Sequence, residues 1–84
     1  MANICKVDGS LIPVEPKDKK NFSLKELQKF VGGLIELIPL TEDTIMVVNE
    51  EGTINGMPLN SRVSGAFGYP IFGDVLVCNT NQLN

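Results

Sequence analysis

The stretch Leu34–Asn49, LIELIPLTEDTIMVVN, decides the fold. Two apolar runs, Leu34–Leu40 and Ile45–Asn49, lie on either side of the polar residues Thr41–Asp43. Short apolar runs separated by turn-forming residues are typical of paired strands. Because successive side chains point to opposite faces of a strand, both runs place apolar residues on both faces. We therefore expect a sheet that is covered on both sides.

A hairpin is predicted upstream of this strand pair. The runs Ile4–Val7 and Ser10–Val14 are joined by Asp8–Gly9. An Asp-Gly pair favours a two-residue type I′ turn, in which both central residues take a positive φ. Pro13 and Pro16 have no N–H to donate, so they place the second strand at an edge of the sheet or end it there.

One helix is predicted between the hairpin and the strand pair. Ser23 and Glu26 form a capping box, in which the Ser hydroxyl accepts from the third helical N–H and the Glu side chain reaches back. Apolar residues follow on one face at helical spacing, namely Leu24, Leu27, Phe30 and Val31. Gly32–Gly33 ends the helix, since glycine readily takes the left-handed conformation of a C-terminal cap.

The last third of the chain predicts one more strand and an optional helix. Asn60–Gly68 is a short helix or a turn capped by Asn60 or Ser61, Val75–Cys78 is a strand, and residues 79–84 are a polar tail. The order β-β-α-β-β-(α)-β in a single domain of 84 residues predicts an α+β fold with a small, mostly antiparallel sheet or partial barrel. One main helix cannot shield both faces of such a sheet, so we expect a homo-oligomer, a dimer or higher.

The composition excludes several classes of function. The chain has no histidine, and its two cysteines, Cys5 and Cys78, stand in apolar runs where we expect free, buried thiols. A zinc site and a Ser-His or Cys-His nucleophile are therefore not expected. We predict no metal, no cofactor and no enzymatic activity. The chain carries no targeting or membrane-spanning run, so we expect a cytoplasmic protein without membrane contact.

The charges are unevenly distributed along the chain. Seven Lys and Arg residues stand against ten Asp and Glu, for a net charge of −3, and five of the seven cations lie within Lys17–Lys29. This cluster is either a site for an anion or a solvated helix face with a lysine-rich lead-in. The overall acidity argues against nucleic-acid binding.

Two glycines and two charged residues are candidates for a binding site. Gly32 and Gly33 would let a ligand approach the backbone closely, or they serve only as the helix cap. Glu36 is a charge on an otherwise apolar strand, and Arg62 is the one guanidinium of the chain. Arg62 could form a salt bridge with Glu36 or bind a ligand phosphate through two parallel hydrogen bonds.

Three asparagines, Asn49, Asn55 and Asn60, supply donors and acceptors within one short segment. Asn is also common in turns, so these residues are either turn residues or ligand contacts. Asn49 at the end of a strand and Asn60 at the start of the next element are where we expect a ligand first.

Four motifs follow one another at a fixed spacing: VGGLIE at 31–36, NEEG at 49–52, G-x-P-x-N at 56–60 and GDVLV at 73–77. Together they resemble a small family of unknown function that is found on bacteriophage and plasmid genomes. The resemblance covers about residues 24–78 and implies a mobile-element protein in a bacterial cytoplasm. The family pattern has an Ala shortly after its last Asn, where this chain has Ser61–Ser64, so a role for Arg62 rests on its chemistry alone.

Two functions fit a protein of this kind. The first is a non-enzymatic antagonist of host immunity that sequesters a small nucleotide-derived signalling molecule between subunits, at Gly32, Gly33, Glu36, Asn49, Asn60 and Arg62. The alternative is a protein–protein inhibitor or accessory module that acts on a host protein through its acidic surface or a sheet edge. The sequence leaves open the ligand, the number of subunits and the role of the Lys17–Lys20 cluster.

Overall fold

The chain folds around one five-stranded antiparallel sheet, in a computed structural model that describes residues 2–83. The strands are β1 (Ala2–Cys5), β2 (Leu11–Val14), β3 (Ile35–Pro39), β4 (Thr44–Asn49) and β5 (Val75–Asn79). The helices are α1 (Leu24–Val31), α2 (Ser61–Phe67) and a short 3-10 helix (Thr80–Gln82).

The spatial order of the strands is β2-β1-β5-β4-β3, and every neighbouring pair is antiparallel. This confirms the predicted α+β class and the order of its elements. In the β3–β4 hairpin Leu37 lies opposite Val47 and Pro39 opposite Ile45. The sheet is open, with β2 and β3 at its edges, so it does not close into the partial barrel that was the other expectation.

Helix α1 begins and ends as its sequence predicts. The hydroxyl of Ser23 accepts from the Glu26 N–H at 3.2 Å, and the Glu26 carboxylate accepts from the Ser23 N–H at 2.9 Å. At the other end Gly32 has a φ of 83°, and its N–H donates to the Gln28 carbonyl. A side chain at Gly32 would be strained in this left-handed conformation.

The turn between β1 and β2 is wider than the predicted type I′ turn. Gly9 has a φ of 92°, whereas Asp8 is not among the residues with a positive φ. The Lys6 N–H donates to the Ser10 carbonyl, and the Gly9 N–H donates to the Lys6 carbonyl, both at 2.9 Å. The Asp8 carboxylate accepts from both the N–H and the hydroxyl of Ser10, which stabilises a loop with one left-handed residue instead of two.

The central strands of the sheet are covered on both faces by residues of the same chain. On the α1 face the buried cluster consists of Ala2, Phe22, Leu27, Val31, Ile45, Val47, Leu76 and Cys78. On the α2 face it consists of Cys5, Met46, Val48, Val63, Ile71 and Val75. Helix α2 and the segment before β5 thus cover the face of the sheet that we expected a second subunit to cover. Within residues 2–83 the central strands therefore have no uncovered apolar face, and the homo-oligomer stays a prediction.

The residues after β5 fold back on the α1 face. The Phe22 N–H donates to the Gln82 carbonyl at 2.7 Å, and Phe22 and Leu83 form an isolated bridge. Leu83 packs against the buried cluster of that face. Residues 80–83, predicted as part of a polar tail, therefore contribute one apolar side chain to the packing.

Candidate functional site

Asn49 lies at the end of β4 and is 6% exposed. Its Nδ2 donates to the Val31 carbonyl at 3.1 Å, and its Oδ1 accepts from the Glu51 N–H at 2.7 Å. The Val31 carbonyl belongs to the last turn of α1, where helix carbonyls lack partners within the helix. The side chain therefore connects α1 to β4 and to the following turn.

Asn60 is fully buried at the start of α2. Its Nδ2 donates to the carbonyls of Cys5 and Gly73, at 2.9 and 3.0 Å, and its Oδ1 accepts from the Val63 N–H at 3.3 Å. The last bond is the N-cap of α2, and the first two join β1 to the loop before β5. Every one of these hydrogen bonds is internal to the fold, so Asn60 is placed as a structural connector.

The two glycines also serve contacts within the chain. Gly32 is the left-handed cap of α1. A Cβ on Gly33 would lie 3.1 Å from Nδ2 of Asn49, closer than a side chain tolerates without movement of that amide. The atom that approaches the Gly33 backbone closely is thus the Asn49 amide.

Glu36 and Arg62 do not meet. Glu36 is exposed on the edge strand β3, opposite Val48, while Arg62 is exposed on α2 and donates from Nη1 to the Gly9 carbonyl at 2.8 Å. Among residues 2–83 the one ion pair joins Lys6 to Asp74. The six predicted ligand residues are therefore dispersed: Glu36 and Asn49 line a small cleft of about 140 Å³, and Arg62 lines a different groove.

A large concave surface lies between α1 and the β1–β2 hairpin, and we name it the lysine groove. Its volume is about 790 Å³. Half-buried apolar side chains line it, namely Ile4, Val14 and Phe30. Four ammonium-bearing side chains line it as well, namely Lys6, Lys17, Lys25 and Lys29.

Two of the three acids in this groove already have partners. Asp74 accepts from the Val7 N–H at 2.9 Å and pairs with Lys6 at 3.0 Å. Glu26 accepts from the N–H groups of Ser23 and Lys17, and the Ser23 hydrogen bond lowers the pKa of its carboxyl. The third acid, Glu15, is exposed.

The remaining cations of the groove are available to a ligand. Lys17, Lys25 and Lys29 are exposed, and within the described residues none of them forms an ion pair. Lys25 and Lys29 are one turn apart on α1, so they lie on the same side of the helix. The groove thus combines an apolar surface with three unpaired ammonium groups, which suits a small anion that also has an apolar part.

Residues 5–83 match a protein family described as a domain of unknown function, DUF3846, which is most of the chain. The chain belongs to this family. The match confirms the predicted membership of a family of unknown function, while the mobile-element origin stays a prediction. No curated protein and no solved structure matches the DUF3846 chain.

The sequence pointed to part of the lysine groove of this DUF3846 protein. The run of cations at Lys17–Lys29 was the signal, with a site for an anion as one of its two interpretations. The structure places Lys17, Lys25 and Lys29 on the groove, while Lys19 and Lys20 are not among its lining residues. Lys6 and Phe30 were missed, because they are far apart in sequence and only the folded chain brings them to the same cavity.

The described residues of this DUF3846 fold form neither a metal site nor an activated thiol. In the part of the chain that the structure describes, no three His, Cys, Asp or Glu side chains come together as metal ligands would. Cys5 and Cys78 are free and buried on opposite faces of the sheet. Burial raises the pKa of both thiols, so they are poor nucleophiles. None of the described helices has the length and the apolar character needed to cross a membrane.

Proposed function

We propose that the DUF3846 chain binds a small, phosphate-bearing, nucleotide-derived signalling molecule in the lysine groove and sequesters it without chemical conversion. One observation carries this proposal: three ammonium groups without an ion-pair partner in residues 2–83 surround a cavity of about 790 Å³ that Phe30 helps to line. Lysine is a common partner for phosphate, as a compact point charge. The aromatic ring offers an apolar surface to a base.

The size and charge of the protein favour a small ligand over a nucleic acid. Cavities of roughly 300–1,000 Å³ are typical of sites for small molecules and cofactors, and the lysine groove lies within that range. The chain as a whole has a net charge of −3, which repels an extended phosphate backbone. A mononucleotide or dinucleotide is small enough to contact the lysines of the groove without contacting the acidic remainder of the surface.

The residues of the groove support retention of the ligand over turnover. The chain has no histidine, and the cysteines are not part of this groove. Of its carboxylates, that of Glu26 accepts backbone N–H groups, which lowers its pKa and favours its charged form. The carboxylate of Asp74 is bonded to the Val7 N–H and to Lys6. In the bacterial setting that the family resemblance implies, such a protein would remove an immune signal from the host cytoplasm. The groove is formed by one chain, so this function needs no second subunit.

Calorimetric titration with ADP-ribose and cyclic dinucleotides tests the proposal, with uncharged adenosine as a control. We expect the double variant Lys25→Ala, Lys29→Ala to lose affinity at least about tenfold, since a hydrogen bond to a charged group is worth ~1.5–3 kcal/mol. The matched control is Lys19→Asn with Lys20→Ala, which removes two charges outside the groove. Asn is chosen because Lys19 has a φ of 67°, a conformation that Asn tolerates.

The two double variants distinguish binding in the lysine groove from a general effect of net charge. Equal losses in both double variants would mean that net charge, and not the lysine groove, attracts the ligand. If none of these nucleotides binds or raises the melting temperature, the sequestration function is wrong.

A protein–protein inhibitor is the second candidate, and one observation favours it. Strand β3 is an edge of the sheet, and Leu34 just before it and Leu37 within it are 52% and 47% exposed. An edge strand with apolar side chains can pair with a strand of another protein. Stoichiometric capture of one host protein by the wild type but not by Leu37→Lys, with no nucleotide bound, would favour this function over sequestration.

A further inference from the structure

A second groove lies on the opposite face of the sheet, between α2 and strands β4 and β5. We name it the α2 groove. Its volume is about 250 Å³, and it is lined by Met46, Val63, Ala66, Phe67 and Val77, with Arg62 at one side. The proposed nucleotide function uses none of these residues. Cavities for drug-sized ligands are larger, at roughly 300–1,000 Å³, so this groove suits one short apolar group.

Arg62 is the charged residue of this groove. It is the one Lys or Arg among residues 30–84, and within the described residues it forms no ion pair. A guanidinium has five N–H donors in a planar arrangement, and one donor group, Nη1, is bonded to the Gly9 carbonyl at 2.8 Å. That bond holds the side chain in place while other donors stay available to a planar, bidentate acceptor.

The positive charge also acts inside the groove. Cys5 lines the same cavity. Burial raises the pKa of its thiol, and the nearby charge of Arg62 opposes this effect in part. No acidic side chain lines the groove to neutralise that charge. An apolar cavity with one uncompensated guanidinium is complementary to a molecule that is apolar at one end and anionic at the other.

We propose that the α2 groove binds a small amphipathic carboxylate, whose hydrocarbon part lies against Met46, Val63 and Phe67 and whose carboxylate pairs with Arg62. A carboxylate matches the fork of a guanidinium through two parallel hydrogen bonds. A phosphate dianion with a sugar would place polar surface against an apolar wall, which carries a desolvation cost. The ligand class therefore differs from that of the lysine groove, and the two sites can be tested separately.

The test is a titration followed by amide and methyl NMR, with octanoate below its micelle concentration and 1-octanol as the uncharged control of equal chain length. We expect saturable shifts at Met46, Val63, Ala66 and Val77. Octanoate should bind about tenfold more tightly than octanol, the factor that one charge-assisted hydrogen-bonded pair contributes. Arg62→Gln should abolish this preference, and Arg62→Lys should restore part of it.

Two further variants fix the location. Ala66→Leu places a larger side chain in the groove and should weaken both ligands, while Ala66 is exposed, so the fold tolerates the change. The Lys25→Ala, Lys29→Ala variant should bind octanoate like the wild type, which keeps this result independent of the nucleotide function. Equal affinity for octanol and octanoate, shifts centred on Phe30, or no saturation would overturn the proposal. So would a doubling of molar mass in which Ala66 is protected by a second copy of the chain.

Discussion

Asn49 and Val31 are joined by a buried hydrogen bond of 3.1 Å between the Asn49 amide and the last carbonyl of α1. Gly33 lies between them in sequence, and because it has no Cβ, the Asn49 amide can pack against its backbone. The VGG motif and the Asn of NEEG thus form one contact in the fold. Their joint presence in the sequence is explained by packing, without a ligand.

Replacing this amide should therefore affect stability first. We expect Asn49→Ala to lower the free energy of unfolding by about 1–3 kcal/mol, because the Val31 carbonyl is left buried without its partner. Chemical denaturation measures the loss. Asn55→Ala is the matched control, since Asn55 is exposed. An Asn49→Ala protein of unchanged stability that no longer binds its ligand would return Asn49 to the binding site.

Asn60 combines a helix cap with two hydrogen bonds across the fold, and two substitutions separate these roles. Asn60→Ser keeps an acceptor for the Val63 N–H but loses the donors to Cys5 and Gly73. An N-cap alone is worth about 0.5–2 kcal/mol, whereas each buried carbonyl left unpaired costs about 1–3 kcal/mol. We expect Asn60→Ser to be nearly as unstable as Asn60→Ala. Recovery of wild-type stability by Ser would show that the cap is the whole contribution.

The elements were predictable because their signals are local. The capping box of Ser23 and Glu26 and the cap at Gly32 involve residues within one helix. The roles of Asn49 and Asn60 depend on partners 18 and 55 residues away, and no pattern within a short window shows such distant partners. For the same reason, the sequence shows the cation cluster at Lys17–Lys29 but does not show that Lys6 lines the same cavity.

Replacement by Ala should change the stability in opposite directions at Gly65, which lies within α2, and at Gly68, which is the C-cap of α2. Gly65 lies within the helix, and an added Cβ there meets nothing within 4 Å. Gly65→Ala should therefore stabilise the protein by about 0.5–1 kcal/mol, chiefly by reducing the freedom of the unfolded chain. Gly68 has equal space but a φ of 91°, so Gly68→Ala should cost about 1–2 kcal/mol. Thermal melts of the two variants measure the difference, and equal signs would contradict the left-handed cap.

Glu26 should make part of the stability depend on pH. Its folded pKa is lowered, first by the hydrogen bond from the Ser23 N–H. A lowered pKa contributes stability that is present above the unfolded value and is lost as the pH falls through the folded one. In Glu26→Gln the side chain stays neutral and can still accept. The stability difference between wild type and Glu26→Gln should therefore shrink on going from roughly pH 6 to roughly pH 3.

Melting temperatures across this pH range provide the measurement for Glu26. Glu42→Gln is the control, since the Glu42 carboxylate makes no hydrogen bond within residues 2–83. A difference for Glu26→Gln that stays constant across the range would mean that the charged capping box does not contribute.

Asp74 should limit the affinity of the lysine groove for the proposed anion, because its charge offsets that of Lys6. Asp74→Asn keeps an oxygen that can accept from the Val7 N–H, so the loop before β5 stays in place. The lost ion pair is partly exposed, with side chains 38% and 27% accessible, so its removal should cost at most about 1 kcal/mol. With Lys6 released and one negative charge removed, a phosphate ligand should bind several-fold more tightly. The opposite change, Lys6→Gln, should weaken binding while Asp74 remains.

The comparison of these two variants is informative because both break the same ion pair. If that pair mattered only for stability, Asp74→Asn and Lys6→Gln would change the ligand affinity in the same direction. Opposite directions are expected only when the ligand is an anion within reach of Lys6. Calorimetry at low and high salt adds a second check, since screening should reduce the gain of Asp74→Asn. Equal affinities in the two variants would place the ligand outside the lysine groove.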